Sequence, residues 1–388
     1  PFFFSRNMGP IYPVHMHDPA TGAYVLDADG NKQFDLGNSS PTMTRASGGS
    51  PGRHVVAETM WNDNLFKRNV LSARTFGEIS FLRNFKFTTN ISVDISNYKA
   101  ATYENKIVGD GAPAGRASRT NSTTTTYTLN QLLNYNRDFG NHNVDVLLGH
   151  ENYDYNYEYL SGSRQQQSFD GITELENFTT TNNLSSYADK NRIESYFSRA
   201  NYSYDNKYLL SLSYRTDGSS KFAKDVRWGN FWSVGAGWRL DQEAFLKTDW
   251  IDMLKLRSSY GETGNNAGIG LYAWQGLYSL GFDNVTAAGV LQGSLANPDL
   301  TWETNKQFDF GVDFNLFKNR VNGSVEFFHR QSDDLLFAVN LPVSSGTLTQ
   351  TRNIGSMFNR GLEVQVGVDV VRTKDFTWNL DVNATTFK

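Results

Sequence analysis

Leu362-Glu363-Val364-Gln365-Val366-Gly367-Val368-Asp369-Val370 is the stretch that decides the fold. A strand sends successive side chains to opposite faces, so this one has a face of Leu and Val and a face of Glu, Gln, Gly and Asp. The pattern repeats on both sides of it. Phe308, Phe310, Val312 and Phe314 alternate with Gln307, Asp309, Gly311 and Asp313. Phe376, Trp378, Leu380 and Val382 alternate with Thr377, Asn379, Asp381 and Asn383. Trp232, Val234, Ala236 and Trp238 alternate with Ser233, Gly235, Gly237 and Arg239, and Tyr208, Leu210, Leu212 and Tyr214 with Leu209, Ser211, Ser213 and Arg215. Nearer the start, Phe85, Phe87, Ile91 and Val93 alternate with Lys86, Thr88, Asn90 and Asp94.

A soluble sandwich would also alternate. The connections separate the two cases. Short polar turns stand at Asp138 to Asn141, Asp205-Asn206-Lys207, Lys318-Asn319-Arg320 and Arg372-Thr373-Lys374. Between them lie long Gly/Ser/Asn-rich stretches, Asn97 to Ser122, Tyr153 to Asn191, Gly261 to Thr301 and Gln331 to Asn353, which read as loops. Short turns alternating with long loops is the layout of an outer-membrane barrel, and repeated structureless loops of that size are rare in compact soluble domains. About a dozen strands of roughly ten residues are expected, the length that a tilted membrane strand needs. Asp241 to Lys247 reads as a short helical turn, and Pro1 to about Arg68, which contains Pro10, Pro13, Pro19, Pro41 and Pro51, as mostly loop.

Bulk composition agrees. The 388 residues hold 36 Lys+Arg against 40 Asp+Glu, a net charge of −4, which argues against a nucleic-acid binder or a polybasic membrane-surface protein. There is no cysteine, so disulfides, thiolate metal sites and cysteine nucleophiles are excluded. No apolar run reaches the roughly 18 residues of a membrane helix, which leaves a closed barrel as the way to span a bilayer. Low mean hydropathy is compatible with a barrel that has a polar lumen, and the 19 Tyr and 27 Phe suit aromatic girdles.

Motifs that could carry chemistry read better as loop features. Gly48-Gly49-Ser50-Pro51-Gly52 matches the nucleophile-elbow spacing, but Pro51 lacks the N–H that would hold an oxyanion. Asp27-Ala28-Asp29-Gly30-Asn31 resembles the start of a calcium loop, but Asn38 stands where the bidentate Glu is needed, so an Asp-Gly turn is expected. His15 and His17 could seed a metal site, yet His54, His142, His150 and His329 are scattered. No catalytic, cofactor-binding or metal-binding set is named. Aromatic rings in long loops can stack on sugar rings or grip peptide side chains, which makes Tyr272, Trp274 and Tyr278 the candidate substrate contacts. Tyr153, Tyr155, Tyr157 and Tyr159, every second residue, read instead as a strand running beyond the membrane or as an interface girdle.

Several stretches resemble one family. Asn297-Pro298-Asp299-Leu300-Thr301-Trp302-Glu303-Thr304 with Phe310-Gly311-Val312-Asp313, Tyr214-Arg215-Thr216-Asp217-Gly218-Ser219-Ser220-Lys221-Phe222 running on to Arg227-Trp228-Gly229 and Gly237-Trp238-Arg239, Leu256 to Asn265, Asn353 to Met357 and Asn359-Arg360-Gly361-Leu362-Glu363 are similar to the barrel of SusC/RagA-type TonB-dependent transporters. The resemblance implies a plug inside a barrel of about 22 strands in the bacterial outer membrane. It implies a SusD-like surface lipoprotein over the mouth, TonB acting through the plug, and a dimer of transporter–lipoprotein pairs. Oligomeric nutrients would be imported, glycans in preference to peptides, with no cofactor and no catalysis.

The plug, the TonB box and enough strands to close such a barrel are missing, so residues 1–388 are expected to be one barrel segment from the middle of a longer polypeptide. Two other readings share its strand features. One is a passive porin or adhesin barrel. The other is a secreted all-β carbohydrate-binding or enzymatic module, which would have to bury the face bearing Asp309, Asp313, Glu363, Asp369 and Asp381.

Overall fold

The structure, a computed structural model, describes residues 12–38, 45 and 49–388. In chain order it forms α1 (Val55–Trp61), β1 (Asp63–Phe81), β2 (Phe85–Glu104), β3 (Arg116–Phe139), β4 (His142–Gln167), β5 (Phe178–Tyr204), β6 (Tyr208–Ser219), β7 (Trp228–Arg239) and β8 (Ile251–Asn265). There follow β9 (Tyr278–Leu280), β10 (Val290–Gln292), β11 (Glu303–Leu316), β12 (Val321–Asp333), β13 (Leu336–Asn340), β14 (Thr349–Asn353), β15 (Ser356–Arg372) and β16 (Thr377–Phe387). Twelve strands make one sheet in the order β1-β2-β3-β4-β5-β6-β7-β8-β11-β12-β15-β16, so each pairs with its neighbours in sequence. The remaining four form two hairpins inside loops, β9 with β10 and β13 with β14. The expected all-β, antiparallel barrel architecture is therefore present as a partial barrel of twelve strands.

Turns and loops alternate along the sheet as expected. Asp205 and Asn206 both take φ of 53°, a left-handed turn that Asp and Asn tolerate and that matches the twist of a tight hairpin. Lys318 and Asn319 do the same at 60° and 58°. Neighbouring turns are tied together by the backbone: Asp205 N–H donates to Asn141 O (2.7 Å), Arg239 N–H to Lys207 O (2.8 Å), and Phe317 N–H to Trp250 O (2.7 Å). The helical turn expected near Asp241 appears as two short 3-10 pieces, Leu240–Gln242 and Ala244–Leu246.

Strand length departs from expectation. β2, β3, β4 and β5 run for 20, 24, 26 and 27 residues and together absorb most of the stretches at 97–122 and 153–191 that read as loops. The true connections are 105–115 and 168–177. These segments are rich in Ser, Asn, Thr and Tyr. Thr and Tyr favour strands, and hydroxyl pairs across the ladder, Thr102 with Ser118 (2.6 Å) and Thr120 with Ser161 (3.0 Å), stand in for apolar packing. In the other two long stretches, 261–265 extend β8 and 331–333 extend β12, and the rest are loops that carry the small hairpins.

The residues group into two compact units. One holds the described residues up to Ser72, with Asp94–Thr125 and Asn156–Asp189; the other holds Ala73–Val93, Thr126–Tyr155 and Lys190–Lys388. In the first, isolated bridges His15↔Phe34, His17↔Tyr24 and Leu26↔Lys32 make a small meander. Asp27 forms the expected turn, its carboxylate accepting from the N–H groups of Asp29 (3.0 Å) and Asn31 (2.8 Å). Unexpectedly, the loop-like start contains α1, capped by His54, whose Nδ1 accepts from Ala57 N–H while Nε2 contacts Val14 O, both at 3.0 Å. Ser50 sits at a turn in the 49–54 segment, and Gly48 lies outside the described residues.

In the second unit the sheet has two unlike faces. Register places Leu212 opposite Val234, Val234 opposite Tyr260, and Tyr260 opposite Phe308, an apolar row across four strands. Phe310, Phe327 and Leu362 make another. Leu212 and Phe310 are each 45% exposed in the chain taken alone. An apolar face of this extent in water would be a liability; against hydrocarbon each side chain is matched. The buried apolar core lies elsewhere, where loops meet: Phe222, Phe231, Ile269, Leu300 and Trp302 pack together. Trp302 Nε1–H donates to Arg227 O (2.9 Å), and Asn353 accepts from Thr301 N–H and donates back to Thr301 O (both 2.9 Å).

Three outcomes are expected in the full-length protein. Leu212→Arg will lower unfolding stability in lipid vesicles by about 2–4 kcal/mol, while Asn201→Arg, at the same depth on the other face, will cost less than about 1 kcal/mol; urea titration reads both. Trp302→Ala will raise hydrogen exchange of loop 266–302 through loss of about 3–5 kcal/mol of packing, with the strands still protected. Asp241, in the turn after β7, is gripped by Arg239 (2.8 and 2.7 Å) and by Leu254 N–H, which hold its carboxyl down at about 2. A depressed folded-state pKa stabilises above the unfolded value of 3.8 and is lost as pH falls towards 2, so Asp241→Asn will cost on the order of 1 kcal/mol at pH 7 and the difference will close between about pH 4 and 2.

Candidate functional site: the polar face and its loops

The polar face is a set of satisfied charge networks. Arg257 on β8 donates from Nε to both Asp313 oxygens (3.1 and 3.2 Å) on β11 and from Nη2 to Glu326 (2.5 Å) on β12. Its guanidinium can cross β11 because the residue beneath is Gly311, where a Cβ would stand 2.9 Å from Cζ. Arg215 on β6 grips Asp217 (2.7 and 2.9 Å), Glu151 (3.2 Å) and Ser195 (2.9 Å), with Phe197 beneath its guanidinium at 5.1 Å. Phe197 in turn fills the space over Gly149, where a Cβ would meet the ring at 2.2 Å. Asp145 accepts from Asn134, Asn136 and Asn201 at 3.3, 3.3 and 3.4 Å.

Charge networks of this kind are stable only when each member is partnered, and they set a fixed, wet wall. A cleft of about 330 Å³ on that face is lined by residues that include Ser211, Gly235, Lys255, Arg257 and Asp309. Two of its glycines leave room for neighbouring side chains: a Cβ at Gly235 would stand 2.7 Å from Ser211 Oγ, and one at Gly237 3.2 Å from Lys255 Cε. The arrangement suits reversible contact with polar chains. Among the described residues no group of three or more His, Cys, Asp or Glu is placed to hold a metal. His15 stacks on Phe34 at 5.1 Å and His17 bonds Gly22 O at 3.0 Å, so both serve the meander.

The three aromatic candidates occupy different settings. The Tyr272 hydroxyl accepts from Lys190 N–H (3.0 Å), which ties the loop to β5. Trp274 packs half-buried against the loop core, and its carbonyl accepts from Asn297 N–H (3.0 Å). Tyr278 is 65% exposed on β9, opposite Gln292. Thus Tyr272 and Trp274 hold the loop, and Tyr278 presents its ring outward.

A different aromatic group emerges in the first unit. Tyr157 and Tyr159 on β4 lie 6.5 Å apart, and Tyr187 on β5 sits 5.9 and 5.0 Å from them. Spacing alone marked the first two as strand residues, which they are. Tyr187 is 28 positions beyond Tyr159 in the sequence, and only cross-strand register reveals the cluster.

Residues 18–388 match the family model described as TonB dependent receptor-like, beta-barrel. The chain is 34% identical to TonB-dependent receptor SusC of Bacteroides thetaiotaomicron over 97% of its own length and 38% of that protein. It is also 34% identical to TonB-dependent receptor P39 of Formosa agariphila, over 84% of the chain and 32% of the relative. It therefore spans only about a third of these relatives. The RagAB peptide transporter superposes with a TM-score of 0.81 at 25% identity, covering 92% of this chain and 39% of that one. The chain belongs to the TonB-dependent receptors, as an outer-membrane β-barrel sequence of the SusC-like kind.

Proposed function

We propose that this chain is the barrel part of an energised importer that takes oligomeric nutrients across the bacterial outer membrane. The observation that carries the reading is 34% identity to a SusC receptor along 97% of the chain. On this reading the Phe/Leu/Val face meets lipid, and the Arg257 and Arg215 networks line the lumen around a plug supplied by the rest of the polypeptide. A SusD-like lipoprotein caps the long loops, TonB pulls on the plug, and the transporter–lipoprotein pairs assemble as a dimer. Glycans are the favoured cargo over peptides, since the SusC relative is the nearer in sequence of the two cited. Loop aromatics, Tyr278 foremost with Tyr272 and Trp274 behind it, contact the cargo. The protein binds and gates, and makes or breaks no bond.

A passive porin or adhesin barrel is the alternative, and its lipid and lumen faces would look alike. Uptake separates them. Cells expressing the full-length gene will accumulate a labelled oligosaccharide, deletion will abolish this, and a protonophore will reduce it at least tenfold. Uptake that persists after the proton-motive force collapses would favour the passive pore.

A further inference from the structure

We infer that Tyr157, Tyr159 and Tyr187 form a binding platform for a neutral oligosaccharide, an inference that deepens the import reading and rests on it. The three rings lie within 6.5 Å of one another on two adjacent strands, and Tyr187 remains 50% exposed. Strand alternation puts them on one face with a run of hydroxyls. Ser161 is two residues beyond Tyr159, and it bonds Thr120 at 3.0 Å; Ser118 is two residues before Thr120, and it bonds Thr102 at 2.6 Å. The opposite face of the same stretch carries Asn156 and Glu158.

An interface girdle would put its rings on the lipid side, among apolar neighbours. These rings instead share their side with Ser and Thr, so anchoring in the membrane does not account for them. Aromatic faces beside hydroxyl donors and acceptors match a pyranose ring, which is apolar on its C–H faces and polar at its rim. Charge selects further. Arg116, next on that face beyond Ser118, is ion-paired with Glu104, so its charge is already engaged. Asp189, two residues from Tyr187, repels polyanions. A neutral glycan fits and an acidic one does not.

The test uses the full-length protein in detergent together with its copurifying partners. The probes are neutral maltohexaose, xylohexaose and mannohexaose, an acidic chondroitin hexasaccharide, and a mixed hexapeptide pool. Nitration of Tyr157, Tyr159 and Tyr187 is followed by peptide mass spectrometry. At least one neutral hexasaccharide is expected to slow nitration of the exposed Tyr187 fivefold or more, with the acidic sugar and the peptides inert. In binding assays Tyr157→Ala with Tyr187→Ala will weaken that sugar tenfold or more, and the matching Phe substitutions will stay within threefold. Absence of protection by every neutral sugar, protection by the peptides or the acidic sugar instead, or full sugar affinity in the double Ala variant would each overturn the platform. Because nitration needs no substitution, a variant that fails to fold does not block the test. Protonophore-sensitive uptake that survives while protection fails leaves the import reading standing; uptake that ignores the protonophore defeats that reading separately.

Discussion

Backbone N–H and C=O groups in hydrocarbon have no water to turn to, and everything else in this chain follows from that. Each strand must give its hydrogen bonds to a neighbour, so the strands pair in sequence order through β8, β11, β12 and β15. With pairing fixed, period two divides the side chains. The Leu212-Val234-Tyr260-Phe308 row is acceptable only if lipid covers it, and the Asp145, Arg215 and Arg257 networks only if lipid does not. The two faces therefore specify one another's surroundings.

Glycine is the means by which the polar face is assembled. Gly311 lets the Arg257 guanidinium lie across a strand to reach Glu326, and Gly149 lets Phe197 support Arg215. Long-range charge pairing in a sheet needs such gaps, because any side chain at the crossing would lift the cation off its partners. The loop motifs work differently. Leu300 and Trp302 fill the loop core, and Asn297 and Asn353 bond backbone groups of neighbouring loop segments. Those same residues carried the family resemblance, and what they do in the structure is hold the loops in place.

Strand identity, facing and the alternation of turns and loops were legible in the sequence because each depends on neighbours one or two residues apart. Strand ends were not. The segments at 116–122 and 160–167 read as loop because hydrophobicity stops there, while the backbone ladder continues on hydroxyl pairs; only the every-second-residue tyrosines at 153–159 signalled that the strand runs on. Helix α1 was missed because its cap is a histidine, His54, and it spans only 7 residues. The site was the least legible part. Trp274 looks like a free loop aromatic until its packing against the buried loop core is seen, and the Tyr157-Tyr159-Tyr187 group exists only through register between strands.

The central claim is that lipid wets one side of these strands and water the other. The 388 residues hold no cysteine, so once any cysteine elsewhere in the full-length protein is replaced, single cysteines can be introduced from Tyr208 to Arg215 and spin-labelled in vesicles. Collision with oxygen, which partitions into lipid, should peak at 208, 210, 212 and 214. Collision with a water-soluble nickel chelate should be confined to the odd positions wherever the lumen admits it, and absent from the even ones. A profile with no period of two, or one in which the even positions meet the chelate and not oxygen, would contradict the account.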